Sequence, residues 1–555
     1  MEPLITALLR PEAYAHPVGT IELLETHISW VLLTGAYAYK IKKPVNLGFV
    51  DFSTPERRLQ FCQEELRLNR RLAADLYLGL APIHGPPAAA RFCGDGPVIE
   101  MAVQMRQFQQ QDLLPAVLER DDLAPETLAP EALERLFEQL ADSLAHFHAA
   151  AAQAAVADGY GSAPQVRAPA LANLDVLETA LGADPLLLAL RRWSETQAQQ
   201  LAPWFEARRA SGWIREGHGD LHLGNMALWQ GRILVFDCLE FSPALRWIDP
   251  SSDLAFLVMD LRQRQRPELA ALVLNRWLEL SGDYAGLQAW RWYVVYRALV
   301  RAKVAALRLR QAELTAAEVS SQQLVIQSYL ALAEAASAEP APLLLITHGI
   351  SGSGKSHLAR RLARRLGWIQ LRSDVERKRL FGLWGLPRRE PRAGDLYAAA
   401  VTEQLYGDHL PRCAEAVLGA GLSLIVDATF GQRQQRRNFA ALAARCGARF
   451  LILDCRCDPD LARRRIRARQ VMGLDPSDAD PAVLDQQLRH WQPLESSEQA
   501  LTLVAEASSA QRPGPAARPE AEARSGADER AQLERLVDLL LNAAAAEPEK
   551  LSPRS

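Results

Sequence analysis

The spacing of hydrophobic positions in the first third of the chain predicts strands followed by helices. Two strand-like runs, 27–34 and 37–44, flank Gly35-Ala36 and predict a hairpin. Residues 55–74 have helical periodicity, and 98–105 form another strand-like run. From about 113 to 210 the pattern is helical, a strand pair follows at 213–238, and helices resume to about 335. We therefore expect a small sheet-containing lobe followed by a larger helical lobe.

A different pattern begins after the Ala/Pro-rich segment 336–342, which we interpret as a linker. Strand-like runs alternate with helical stretches over 343–505, which predicts a parallel sheet covered by helices. The beginning of the segment 506–555 contains few large apolar side chains, so we expect a disordered tail. One short helix is expected near 533–541. The predicted domains are 1–335 and 343–505, of α+β and α/β class.

Composition and charge narrow the range of functions. The chain has 555 residues, enough for two or three domains, and its formal net charge of −3 gives no general attraction to nucleic acid or anionic membranes. Its 7 cysteines do not form a disulfide framework, and an odd number is typical of a reducing compartment. No apolar run reaches the ~18–20 residues of a membrane span, and the N-terminus lacks a signal-peptide pattern. We expect a cytoplasmic protein without a membrane partner.

Residues 349–356 read GISGSGKS, a complete phosphate-binding loop between an apolar strand and a helix. Gly349, Gly352 and Gly354 allow backbone N–H groups to turn toward phosphates. Lys355 is expected to reach the β- and γ-phosphates of ATP, and the Ser356 hydroxyl is expected to ligate Mg²⁺. Motif and context together make this the most specific signal in the chain.

Further groups of the second domain are predicted to surround this loop. Asp427 ends an apolar run and is expected at the carboxyl edge of the sheet as a metal carboxylate. Asp374 ends the preceding strand; it either orients or deprotonates an acceptor hydroxyl or caps the following helix, and the two roles can coexist. Arg465 and Arg469 share one helix face and are interpreted as a lid over the triphosphate, the alternative being a solvated basic face.

A second phosphoryl-transfer signal is HGDLHLGN at residues 218–225. Asp220 is placed to accept a hydroxyl proton, and Asn225, five residues later, to hold a metal ion. Asp237 ends the next strand, where a second metal carboxylate is expected. His218 and His222 are interpreted as residues that order the loop.

Upstream, Lys40 and Lys42 lie on one face of a predicted strand, because strand side chains alternate. Either could bind the α- and β-phosphates, and Glu65 or its neighbour Glu64 is the expected helix carboxylate beside that lysine. Farther along the chain, Arg297 and Arg301 are four residues apart on a helix. They either face the cleft, where they would suit an anionic acceptor, or form a salt-bridged outer face.

Residues 343–500 resemble the small P-loop kinases, including gluconate kinase, the 5′-hydroxyl polynucleotide kinases and the zeta-toxin group. The resemblance rests on Ser373-Asp374 followed by Arg377, on Val426-Asp427-Ala-Thr429 and on the arginine-rich helix. It implies transfer of the ATP γ-phosphate to a hydroxyl group and leaves the acceptor open.

Residues 1–335 resemble the aminoglycoside phosphotransferase and choline kinase group, which implies a bilobal protein-kinase-like fold. Asp249 and Asp253 match a downstream stretch of that group and are implied to brace the catalytic loop. The order of the two halves resembles a bacterial family with an aminoglycoside phosphotransferase-like domain and an ATP-binding P-loop domain. A fold relationship of this kind does not imply antibiotic resistance.

We therefore expect an ATP-dependent kinase that uses Mg²⁺ and has two catalytic domains, each acting on a hydroxyl group of a small molecule or nucleoside. One alternative is a single active kinase domain with a nucleotide-sensing P-loop domain, and a binding regulator is another. A nucleic-acid 5′-hydroxyl is an alternative, less favoured acceptor for the second domain. The sequence does not indicate an oligomeric state.

Overall fold

The structure is a computed structural model that describes residues 2–48, 50–123, 129–310, 314–338, 341–385, 396–472, 480–506 and 519–545. The strands are β1 Glu22–Glu25, β2 Ser29–Leu33, β3 Tyr37–Lys42, β4 Tyr77–His84, β5 Val98–Arg106, β6 Arg215–Glu216, β7 Met226–Trp229, β8 Arg232–Val235, β9 Trp247–Ile248, β10 Leu343–His348, β11 Ile369–Arg372, β12 Leu424–Asp427, β13 Arg449–Arg456 and β14 Thr502–Glu506.

The helices are α1 Pro3–Leu8, α2 Pro55–Ala73, α3 Leu114–Leu123, α4 Pro130–Ala150, α5 Ala163–Leu181, α6 Pro185–Ala210, α7 Pro243–Arg246, α8 Pro250–Gln263, α9 Pro267–Ser281, α10 Trp290–Arg308, α11 Ala316–Ser337, α12 Lys355–Leu366, α13 Ser373–Leu380, α14 Ala399–Gln404, α15 Leu410–Gly419, α16 Arg433–Arg445, α17 Pro459–Met472, α18 Pro481–Arg489, α19 Ser496–Gln499 and α20 Pro519–Ala545. None of the helices in the described part of the chain is both long and apolar enough to cross a membrane.

The chain divides into two compact units. The first, called the N-unit, comprises Met1–Asp260 and Tyr296–Tyr329. The second, called the P-loop unit, comprises Leu261–Val295 and Leu330–Ser555. The boundary at 336–342 stays a prediction; in the compact units, Leu261–Val295 groups with the segment that follows Leu330.

The N-unit is built on an antiparallel sheet with strand order β1-β2-β3-β5-β4. The predicted hairpin is β2–β3, with Leu33 opposite Ala38. Helix α2 begins after Thr54, whose hydroxyl accepts a hydrogen bond from the backbone N–H of Arg57, and it packs on β4 and β5. Because α2 lies across the sheet, its Glu65 is fully buried at the centre of this lobe. A sheet with segregated helices is the α+β class predicted for this part.

The P-loop unit is built on a parallel sheet with strand order β11-β12-β10-β13-β14. Its central strand β10 is buried along its whole length, as expected for a parallel strand covered on both faces. The loop after β10 leads into α12, so the carboxyl ends of β10, β11 and β12 meet at the edge that carries the site. The predicted α/β class with a parallel sheet is confirmed.

Helix α9 belongs to the P-loop unit because it covers the edge strand β11. The Asn275 amide donates to the Trp368 carbonyl and accepts from the Gln370 N–H, at 2.9 and 2.7 Å. An edge strand exposes unpaired backbone groups, and this side chain satisfies two of them.

Helix α20 also packs on this unit. Where the sequence indicated one short helix in a disordered tail, the structure has a helix from Pro519 to Ala545. Its apolar positions Leu533, Leu536, Val537 and Leu540 are buried in the core that includes β10 and α12. Their helical spacing creates an apolar stripe that the tertiary structure covers.

Candidate active sites

Asp220 lies in the loop between β6 and β7, close to two polar side chains. Its Oδ2 accepts a hydrogen bond from Nδ2 of Asn225 at 3.0 Å and lies 3.4 Å from Nε2 of His222. Burial acts to raise the pKa of Asp220, but the nearby His222 and Arg301 help to hold it well below the usual range. The group is therefore a carboxylate at neutral pH.

Asp253 on α8 fixes the backbone of this loop. Its carboxylate accepts from the N–H groups of His218 and Gly219, at 2.6 and 3.0 Å. Asp253 therefore braces the loop, as the family resemblance implied. Asp249, from the same stretch, instead forms an ion pair with Arg208.

Both predicted lysines meet the predicted helix carboxylate. Lys40 Nζ lies 2.9 Å from Glu65 Oε1 and 2.5 Å from Asp237 Oδ1. Lys42 Nζ donates to Glu65 Oε2 at 2.8 Å and to Glu240 Oε1 at 2.5 Å. Burial alone would raise the pKa of Glu65, but the two lysines outweigh it and lower that pKa to about 2.

The two lysines differ in access to solvent. The side chain of Lys42 is 0% exposed, whereas that of Lys40 is 14% exposed and that of Asp237 is 43% exposed. Asp237 adopts a left-handed backbone conformation, with φ of 59°, which is unusual for a residue with a side chain. Lys40 and Asp237 are therefore the pair that a ligand can reach, while Lys42 is part of the interior.

The sequence analysis assigned no role to Glu240, which the structure places beside Lys42. The second lysine of β3, Lys42, could have indicated such a residue, because a buried lysine needs carboxylate partners. The alternative carboxylate Glu64 does not reach the lysines in this arrangement; it pairs with Arg67 and Arg246.

The phosphate-binding loop has the backbone shape that its glycines predict. Gly352 and Gly354 have φ of +84° and +90°, which side chains rarely permit. A Cβ on Gly352 would lie 2.6 Å from the Ala462 carbonyl, and one on Gly349 would lie 2.8 Å from Ser353 Oγ. The loop is therefore packed too closely for larger residues.

Asp427 and Ser356 are adjacent at this sheet edge. The Ser356 hydroxyl donates to Asp427 Oδ1 at 3.0 Å, and Gln370 Nε2 donates to the other oxygen at 3.2 Å. Burial raises the pKa of Asp427, and Arg372 and Lys355 oppose this shift. Oxygen ligands of this kind suit Mg²⁺, which prefers carboxylate and hydroxyl donors.

Asp374 and Lys355 line a cavity of about 160 Å³ beside the loop. Helix α13 begins at Ser373 with Arg372 as its N-cap, so Asp374 lies in the first turn rather than at the cap. Arg377, one turn later, also lines the cavity and donates to the Leu396 carbonyl at 2.8 Å. This arrangement places the Asp374 carboxylate in the same cavity as Lys355.

The arginine-rich helix α17 lies close to the phosphate-binding loop at Arg465, one of the two arginines predicted to form a lid. A Cβ on Gly354 would be 3.6 Å from Nη1 of Arg465. Arg469 is on the same helix, but its side chain is outside the described part of the structure.

Sequence reasoning missed Gln487 on α18. Its Oε1 accepts from the Ser351 N–H at 2.9 Å, and its Nε2 donates to the Ser351 hydroxyl at 3.0 Å. Gln487 therefore binds the phosphate loop directly and lines the same cavity as Asp374. No local motif marks it, because the contact joins residues 136 positions apart.

Comparison with known proteins gives two family matches. The model described as "Phosphotransferase enzyme family" matches residues 49–293, and the one described as "AAA domain" matches residues 344–494. An uncharacterized protein of Mycobacterium tuberculosis and one of Mycobacterium bovis are each 32% identical over 487 residues, which is 86% of this chain and 92% of the relative.

Solved structures with similarity to single parts of the chain include a choline/ethanolamine kinase family protein from Mesorhizobium loti. It is 12% identical and covers 60% of this chain and 97% of its own, with a TM-score of 0.33. A gluconokinase from Sinorhizobium meliloti is 18% identical and covers 37% of this chain and 98% of its own, with a TM-score of 0.21.

The predicted order of the domains is confirmed by the two family matches. The chain belongs to the same family as the two mycobacterial proteins, and its phosphotransferase domain and P-loop kinase-like domain make it an ATP-dependent phosphotransferase.

Proposed function

We propose that both domains transfer the γ-phosphoryl group of ATP to a hydroxyl group of a small molecule. The observation that carries the proposal is that each unit combines a carboxylate for the acceptor with a lysine for the phosphates. Asp220 and Lys40 are this pair in the N-unit, and Asp374 and Lys355 are the pair in the P-loop unit.

In the N-unit, Asp220 would accept the hydroxyl proton as the acceptor oxygen attacks phosphorus. Lys40 would hold the α- and β-phosphates, while Glu65 keeps the lysine in place. Asn225 and Asp237 would hold Mg²⁺, and no residue in the described part of the chain donates a hydrogen bond to Oδ1 of Asn225. That oxygen and the partly exposed Asp237 carboxylate fit a metal with oxygen ligands.

In the P-loop unit, Lys355 would hold the β- and γ-phosphates, and Ser356 and Asp427 would hold Mg²⁺. Bound Mg²⁺ supplies charge neutralisation on the phosphate oxygens. Asp374 would orient or deprotonate the acceptor hydroxyl inside the cavity, and Arg465 would neutralise charge that develops during transfer. Arg469 is proposed for the same role.

The test compares the wild-type chain with Asp220→Asn, Asp374→Asn and the double variant. ADP release is measured with a panel of hydroxyl acceptors, and ATP binding is measured in parallel. Each single variant should lose about 10²–10⁴-fold in turnover of its own acceptors while ATP still binds.

The outcomes separate the alternatives. If Asp374→Asn changes no acceptor reaction while the P-loop unit still binds nucleotide, that unit is a sensor. If the double variant keeps full turnover with every acceptor, the proposed catalytic carboxylates are wrong.

A further inference from the structure

Helix α10 brings cationic side chains to the surroundings of Asp220. Arg297 is one of them, but it is buried and has structural partners: its guanidinium donates to the Gly219 carbonyl at 3.0 Å and to the Ser252 hydroxyl at 3.1 Å. Arg297 therefore supports the catalytic loop. Arg301 and Lys303, farther along the helix, are partly exposed.

Arg301 reaches the loop through His222. Nη1 of Arg301 lies 3.2 Å from Nε2 of His222, which is itself 3.4 Å from Asp220 Oδ2. The other ring nitrogen, Nδ1, accepts a hydrogen bond from the Gly224 N–H at 3.0 Å. Since a neutral imidazole has only one acceptor nitrogen, Nε2 carries the proton and faces Asp220. It then offers no lone pair to Arg301.

The carboxylates of Asp220 and Asp260 lie near Arg301, but neither forms an ion pair with it in the described part of the chain. Nε of Arg301 contacts the Tyr329 hydroxyl at 3.4 Å. The two oxygens of Asp260 accept from the Tyr329 hydroxyl at 2.8 Å and the Leu223 N–H at 3.0 Å. Asp260 is therefore occupied by neutral donors, and Nη1 of Arg301 can bind an additional anion.

Lys303, two residues beyond Arg301 on the helix, is close enough to Asp220 for their charges to interact. It forms no ion pair or hydrogen bond with any residue that the structure describes. Burial lowers the pKa of its ammonium, and the negative charge of Asp220 acts in the opposite direction. A partly buried ammonium without a carboxylate in contact is energetically unfavourable, and an anionic ligand would relieve this cost.

We propose that the N-unit phosphorylates a hydroxyl group of an acceptor that also carries a carboxylate or phosphate, and that Arg301 and Lys303 bind this anionic group. The proposal rests on the proposed function of Asp220. The hydroxyl oxygen forms the new bond to the γ-phosphorus, the bond from that phosphorus to the β–γ bridging oxygen breaks, and ADP leaves. The hydroxyl proton goes to the Asp220 carboxylate.

The test uses the full-length chain with Lys355→Met, which suppresses the P-loop site. Phosphoryl transfer is measured with acceptors that share a carbon skeleton and differ in charge: glycerol, glycerate, glycerol 3-phosphate and serinol, and the corresponding glucitol, gluconate, glucitol 6-phosphate and glucamine. We expect kcat/KM for an anionic acceptor to exceed that for the neutral and amine-bearing ones by about 10- to 100-fold, the effect of a charged hydrogen bond. The glycerate and gluconate arms distinguish carboxylate from phosphate recognition.

Variants of helix α10 then test whether Lys303 is responsible for the preference for anionic acceptors. Lys303→Met should raise KM for the preferred acceptor by about 10-fold or more with a smaller effect on kcat, and Lys303→Arg should restore most of the affinity. Arg308→Gln, on the exposed side of the same helix, is the matched control and should leave KM unchanged.

Two results would overturn the inference in different ways. Equal or better transfer to neutral or amine-bearing acceptors, or an unchanged KM in Lys303→Met, would refute the anionic acceptor and leave the kinase proposal intact. If no acceptor receives phosphate and Asp220→Asn does not alter ATP turnover, the proposed function fails, and the inference fails with it.

Discussion

At the scale of single residues, the buried network of Lys40, Lys42, Glu65 and Glu240 holds two lysines in different surroundings. Lys42 is enclosed by two carboxylates, whereas Lys40 reaches the partly exposed Asp237. Removing one member of a buried ion-pair network leaves the others uncompensated. Replacing Lys42 is therefore expected to affect mainly stability, and replacing Lys40 is expected to affect mainly ATP turnover.

Lys42→Met should lower the free energy of unfolding by about 3–5 kcal/mol, because Glu240 loses its buried partner. Lys40→Met should lower it less and should reduce ATP turnover by the N-unit. Urea denaturation and ADP release, measured on both variants, check the two expectations. A stability loss confined to Lys40→Met would show that the roles are reversed.

The network also predicts a pH dependence. The pKa of Glu65 is lowered from 4.5 to about 2, so this group stabilises the folded state above its unfolded pKa. The contribution, on the order of 3 kcal/mol at neutral pH, is lost as the pH falls from about 4.5 through about 2. The difference in unfolding free energy between wild type and Glu65→Gln should therefore be large at pH 7 and shrink toward pH 2.

Glu22→Gln, at an exposed position of β1, is the control and should show a much smaller difference across the same pH range. A difference between wild type and Glu65→Gln that stays constant with pH would mean that Glu65 is not held ionised by the lysines.

At the scale of elements, α20 is the clearest case of a segment whose role depends on what it packs against. Leu536 on its buried face is 1% exposed, while Leu539 on the same helix is 45% exposed. Both positions are leucines of the same helix, so they differ in burial but not in helix propensity.

Leu536→Ala should lower the unfolding free energy of the P-loop unit by about 2–5 kcal/mol, because it leaves a cavity in the core. Leu539→Ala should change it by about 0.5 kcal/mol or less. The effect on this unit is measured by chemical denaturation, with hydrogen exchange of the α12 amides as the probe. Equal effects at both positions would show that α20 is not docked as described.

At the scale of the whole molecule, the compact units do not coincide with a cut at the linker. Residues 261–295 belong to the P-loop unit, where Asn275 pairs with the backbone of β11. A cut near residue 339 would therefore separate α9 from the sheet that it covers.

Separate expression of 1–338 and 341–545 tests this division. The P-loop fragment should lose at least the two hydrogen bonds of Asn275, whose net contribution is about 1–3 kcal/mol together, and its melting temperature should fall by about 2–10 °C. Calorimetry on the fragment and on the intact chain provides the comparison. An unchanged melting temperature would show that the P-loop unit folds independently of α9.

The sequence by itself determined the parts of this protein that depend on local patterns. The GISGSGKS loop needs a strand before it and a helix after it, and glycine positions with positive φ are readable from the string. The β2–β3 hairpin, helix α2 and the alternation of strands and helices after residue 343 follow from hydrophobic periodicity. Lys40, Lys42 and Glu65 could be grouped because strand alternation and helix position bring them to one face.

Only the tertiary structure decided the contacts between distant segments. It distinguished Lys40 from Lys42 by burial, supplied Glu240 as the second carboxylate, and placed Arg297 against the loop at 218–225. It also joined Gln487 to the phosphate loop and α9 to the sheet edge. These outcomes depend on which surfaces meet across many residues of chain, and hydrophobic periodicity shows that a face is buried without showing its partner.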